Sequence, residues 1–91
     1  MMKARIFKTS NLFSPTNKRP YKRIFFKTEE EEVYITDVVP GFRNFKNWEG
    51  LTEEGNVLDG LVRIGETNRV DADSKPTLVG KEEDPQLDFF K

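Results

Sequence analysis

The sequence predicts an all-β fold, a small β-barrel of about five strands with one short helix and a flexible C-terminal tail. Three observations carry this prediction. Residues 3–9 and 21–27 alternate basic with aromatic or apolar positions, the pattern of strands whose successive side chains leave opposite faces. Residues 33–39, VYITDVV, are rich in β-branched types that suit a pleated surface. A three-residue apolar period marks residues 42–51, and the short helix is placed there. With 91 residues the chain has room for one core, able to bury about 60 to 65 % of the unfolded surface. Residues 1–80 are assigned to the barrel domain and 81–91 to an acidic tail.

Taken in order, Lys3 to Thr9 is a strand with Arg5 and Phe7 on one face and Ala4 and Ile6 on the other. Residues 10–20 hold two prolines and several turn formers and read as a loop carrying Lys18 and Arg19, with Leu12 and Phe13 closing over the core. In the second strand Tyr21, Arg23, Phe25 and Lys27 share a face, and Lys22, Ile24, Phe26 and Thr28 share the opposite one. Glu29 to Glu32 form the tip of a hairpin that returns through Val33 to Val39 and stops at Pro40 and Gly41. Phe42, Phe45, Trp48 and Leu51 make the stripe of a short helix or 3₁₀ turn that plugs one end of the core. Residues 55–65 are a strand with Leu58, Val62 and Ile64 on one face and a bulge or bend at Gly60. Turns follow, with Val70 the one clear apolar position, and residues 76–80 form a short last strand.

Charge is balanced overall and lopsided along the chain. Residues 1–28 hold eight Lys and Arg and no acid, leaving seven bases against all sixteen acids in residues 29–91. Such asymmetry implies a polyanion-binding face on the first strands, unless basic and acidic strands pair and cancel. Catalysis has little support, because the chain lacks histidine, cysteine, a glycine-rich phosphate loop and an evident nucleophile with its base. No cofactor or metal is expected: Asp71 and Asp73 read as a turn, and the glutamate run as a solvated charge cluster. No apolar run reaches the length of a signal peptide core or a membrane span, so a soluble cytoplasmic protein is expected, in the host cytoplasm if viral.

The candidate nucleic-acid-binding residues are Arg5, Phe7, Tyr21, Arg23, Phe25, Lys27 and Tyr34 on the sheet, with Lys18 and Arg19 from the loop. An unstacked base gains about 1 to 3 kcal/mol on an aromatic ring whatever its identity, while cations neutralise phosphates. One or two such platforms bind weakly, so a homo-oligomer or cooperative binding along a strand is implied. The same alternation also fits an amphipathic strand with aromatics in the core and cations snorkelling outward. Alternation alone leaves open which face is inner.

The order of elements, two or three long strands, a short helical element and a last hairpin, resembles the OB-fold over roughly residues 3–80. WEGLTEEGNVLDG, a helix leading through a glycine into an apolar strand, is the most similar part. An SH3-like barrel is the competing architecture. The resemblance to OB-fold single-stranded-DNA-binding proteins of phage or mobile-element type implies single-stranded DNA as ligand and replication or recombination as setting. In the tail, Gln86 to Phe90 (QLDFF) resembles the peptide by which replication and repair proteins bind the sliding clamp: Gln, Leu, Ser or Asp, Leu, then Phe. Gln86, Leu87, Asp88 and Phe90 match it, and Phe89 replaces the second Leu. The resemblance implies that these five residues recruit the clamp or another replication protein. Acidic, aromatic-tipped tails of single-stranded-DNA-binding proteins look similar, but they end on an apolar residue, and here Lys91 follows. Two other readings stay open: Leu87, Phe89 and Phe90 fold back as an edge strand, or the chain modulates a host replication factor through QLDFF without binding nucleic acid.

Overall fold

The computed structural model describes residues 1–16 and 18–81. The chain is all-β, with strands β1 (Met2–Ser14), β2 (Arg19–Lys27), β3 (Val33–Val38), β4 (Asn56–Leu61) and β5 (Thr77–Lys81), and one 3₁₀ turn, Arg43–Asn47. The strands form a single antiparallel sheet in the order β3-β2-β1-β4-β5. By these pairings the sheet is not closed. An isolated bridge nevertheless reaches β3's outer edge: Ile35 pairs in parallel with Arg69, through Ile35 N–H to Asn68 O (3.0 Å) and Val70 N–H to Ile35 O (2.8 Å). Val70 in turn bridges Arg63, just beyond β4.

The core collects one parity of each early strand. Ala4 and Ile6, Ile24 and Phe26, and Tyr34 and Val38 are buried together with Leu58, Leu61 and Val70. Trp48 closes this core as a fully buried plug, 6.0 Å from the Phe26 ring centre, and its indole N–H donates to Ala72 O at 2.9 Å. Burying so large a side chain with its one polar atom satisfied is the arrangement that makes Trp strongly stabilising in a small core. Phe45 and Leu51 pack against it, whereas Phe42 is 49 % exposed and leaves the expected stripe.

Two further expectations about the strands are corrected here. The segment expected as a loop, residues 10–20, is mostly ladder: β1 and β2 stay paired from Thr9↔Ile24 to Ser14↔Arg19, leaving only a tight turn between Ser14 and Arg19. Ser10 and Asn11 have low strand preference, but cross-strand pairing overrides it, and Pro20 is tolerated because it lies where β2 has run past β3. Leu12 and Phe13 therefore do not close over the core; they are 36 % and 61 % exposed. The second correction concerns β4. Leu58 is buried, but Val62 and Ile64 are exposed and Leu61 takes the inner place, because the chain turns at Gly60 and the alternation changes parity. Gly60 has φ +85°, and a Cβ there would meet the Lys75 carbonyl at 3.2 Å, so only glycine fits the bend comfortably.

Lys81, assigned from sequence as the first residue of the tail, lies instead at the end of β5, pairs with Asn56 of β4 and forms an ion pair with Glu53 at 2.8 Å. The expected partner-binding residues Gln86, Leu87, Asp88, Phe89 and Phe90 lie outside the described residues. Among the described residues no helix is long and apolar enough to cross a membrane.

Candidate nucleic-acid interface

With Ile24 and Phe26 inward, β2 must present Tyr21, Arg23, Phe25 and Lys27 outward, and all four are partly exposed. β1 would present Arg5 and Phe7 beside them by simple alternation. A bulge does more: Ile6 pairs with Phe26 and Lys8 with Phe25, so Phe7 is the extra residue and Phe7 and Lys8 both stand opposite Phe25. The Phe7 and Phe25 ring centres are 6.2 Å apart and tilted by 57°. Lys8 Nζ lies 5.3 Å over the Phe25 ring, and Lys27 Nζ lies 5.1 Å over the Phe7 ring.

Beyond the bulge the parity of β1 is shifted by one, which brings Ser10 opposite Arg23 and Leu12 opposite Tyr21. Arg23 stacks 5.9 Å over Tyr21 and donates to both carboxylate oxygens of Asp37, at 2.8 and 3.1 Å. Arg69 donates to Asp37 Oδ2 at 3.2 Å. Burial by itself pushes the Asp37 carboxyl up, but the hydrogen bonds and charges of Arg23 and Arg69 outweigh it and hold the group below the usual carboxylate range. The Arg23 guanidinium is raised in turn, chiefly by its hydrogen bond to Asp37.

At the far end of the stripe Arg19 lies 5.6 Å over the exposed Phe42 ring. A cleft of about 240 Å³ opens there, lined by Arg19, Tyr21, Asp37 and Phe42 among others. From Arg19 to Lys27 the stripe runs about 26 Å at the strand rise of about 3.3 Å per residue. Cations and rings alternate along its whole length. Among the described residues Lys8, Arg19 and Lys27 form no ion pair, so they can serve phosphates without first losing a carboxylate.

The structure thus brings together Arg5, Phe7, Arg19, Tyr21, Arg23, Phe25 and Lys27. Lys18 sits in the turn at the tip with φ +52°, its N–H donating to Ser14 O at 2.8 Å, off the stripe. Tyr34 is not on this face. It pairs with Phe26, shares that residue's inward parity and is buried, with its hydroxyl donating to Glu32 at 2.7 Å and Arg63 5.5 Å over its ring. That hydrogen bond first, and burial second, raise the phenol above its ordinary value.

Sequence reasoning missed Lys8 and Phe42. Lys8 has the inward parity until the bulge reverses it, and no local residue signals the bulge; Phe42 carries the same three-residue period as the plug. Asp71 and Asp73 form a turn, Asp73 N–H donating to Asp71 Oδ1 at 2.8 Å. No protein-family model, curated protein or solved structure matches the chain.

Proposed function

We propose that this chain is a non-catalytic single-stranded-DNA-binding protein that lays the strand along the outer face of β1 and β2. The observation that carries the reading is the stripe itself: Phe7, Tyr21, Phe25 and Phe42 alternating with Arg5, Lys8, Arg19, Arg23 and Lys27 on one exposed surface. Bases stack on any ring, and cations at this spacing follow the backbone, which together give affinity without sequence readout. Four nucleotides or so span about 26 Å, near the lower end of the range for one OB-like module.

An OB-like barrel is part of the proposal. The path β1-β2-β3, then residues 68–71, then the continuation of β4 and back to β1 is a five-membered circuit, and the Ile35 and Val70 hydrogen bonds supply its weakest join. Recruitment of a replication partner by Gln86 to Phe90 rests on the peptide's resemblance alone.

The test is fluorescence anisotropy of labelled oligo-dT at several salt concentrations, for the wild type and for Phe25→Ala. Engaging four or five phosphates gives a log–log salt slope of about −3, and losing one stacking ring weakens binding by about 1 to 3 kcal/mol. Absence of binding at low salt, or binding indifferent to Phe25→Ala, refutes the proposal.

A further inference from the structure

The β1–β2 hairpin overhangs the rest of the sheet. β4 pairs with β1 only at Met2 to Arg5, and β3 pairs with β2 no farther than Lys22, so the rungs Leu12↔Tyr21, Phe13↔Pro20 and Ser14↔Arg19 form a two-stranded blade. Among the described residues no third strand flanks it. These three rungs extend about 7 Å at the strand rise. The blade's two faces differ in chemistry. Leu12, Tyr21 and Arg19 continue the stripe, while Phe13 and Pro20, one residue out of phase, face the other way. Phe13 is 61 % exposed near the end of the arm, next to the turn.

We propose that the blade acts as a wedge at the junction between a DNA duplex and a single-stranded tail: the tail follows the stripe on one face, the strand passes round the tip of the blade, and the terminal base pair stacks on Phe13 at the other face. This rests on the single-strand reading above and names the preferred substrate within it. Charge selects nucleic acid as the occupant. The arm and its turn carry Lys18 and Arg19, and residues 1–28 hold no acid, so two arms of two copies repel each other while a polyanion is attracted. Strand addition is further opposed by Pro20, which offers no N–H to a pairing strand. A terminal base pair supplies what Phe13 lacks, a flat apolar face ringed by phosphates, whereas bases inside a duplex already cover one another.

The experiment compares three labelled probes: oligo-dT, the same dT tail joined to a short hairpin duplex, and the duplex without a tail. The wild type is expected to bind the tailed duplex about five- to a hundredfold tighter than dT, the range that one added stack spans. Phe13→Ser, a change at an exposed position outside the stripe, removes that preference and leaves dT binding unchanged. Equal affinity of the wild type for dT and the tailed duplex overturns the blade proposal and leaves the single-strand reading standing. So does a Phe13→Ser protein that loses both substrates equally. Sedimentation provides a separate check, because a wild-type dimer that Phe13→Ser converts to monomer shows that the arm pairs copies and overturns it too. Binding of no probe by the wild type refutes the single-strand reading itself.

Discussion

Two regions of this molecule place arginines over aromatic rings, and they use them differently. On the stripe Arg19 lies over Phe42, and Lys8 and Lys27 lie over Phe25 and Phe7, and among the described residues none of the three forms an ion pair. In the loop after β4 Arg63 lies over Tyr34, but its Nε donates to Thr67 O at 2.7 Å and its Nη2 to Glu66 O at 2.9 Å. Arg63 is committed to the backbone of its own loop, at Glu66 and Thr67. What distinguishes a cation free to meet a ligand from a structural one is therefore whether its donors are already spent, since the ring contact is common to both. Arg23 stands between the two, on the stripe yet tied to Asp37.

The comparison can be broken outright by removing what both regions lean on. Trp48→Ala takes the plug from beneath β2 and from Ala72, and is expected to cost about 3 to 5 kcal/mol in denaturant unfolding, with DNA binding falling only as the folded fraction falls. Next in size, Arg63→Ala is expected to lose about 1 kcal/mol of stability, because two carbonyls lose a charged donor at an exposed site, while oligo-dT affinity stays as it was. A matched loss of affinity would place Arg63 in the interface and erase the distinction.

Lys27→Ala is the mirror image. Its stability change should stay within about 0.5 kcal/mol, and its salt slope should become shallower by about 0.7, the contribution of one phosphate contact on a single strand. Asp37→Asn sharpens the intermediate case and carries the smallest effect. The folded Asp37 carboxyl is held below its unfolded value, so the stability it contributes is complete above the ordinary carboxylate range near pH 4 and is lost as pH falls through the folded value. The asparagine variant should therefore show a flatter acid limb in a stability-versus-pH series. It should also bind oligo-dT about two- to fivefold tighter at low salt, since Arg23 and Arg69 then lack a competing carboxylate.

Strand identity was legible from local pattern wherever one face is core. Ile24 and Phe26 against Phe25 and Lys27, and Tyr34, Thr36 and Val38 against Ile35 and Asp37, obey a period of two that survives intact in the fold. The short helical plug was legible for the same reason, since Phe45, Trp48 and Leu51 keep a period of three up to the buried indole. Legibility failed where parity changes. The Phe7–Lys8 bulge and the Gly60 bend each shift the register by a residue, which sends Lys8 out to the stripe, turns Phe13 to the opposite face and exposes Val62 and Ile64.

By itself, then, the chain determined that it would be an all-β sheet with an acid-free first hairpin, because alternation and charge placement are local properties that packing reinforces. Tertiary structure alone decided which face of that hairpin is outer. Ala4, Ile6, Ile24 and Phe26 all turn toward Trp48 and Val70, contributed from far along the chain, and the larger apolar burial on that side leaves Phe7, Tyr21 and Phe25 outside with the cations. It also decided which cations are spent: Arg23 meets Asp37 only because β2 and β3 pair in this register, and Arg69 joins them only because the segment after β4 returns to β3's edge. Hydrogen-bond partners that far apart in sequence are set by the register of the sheet, and no local pattern encodes them.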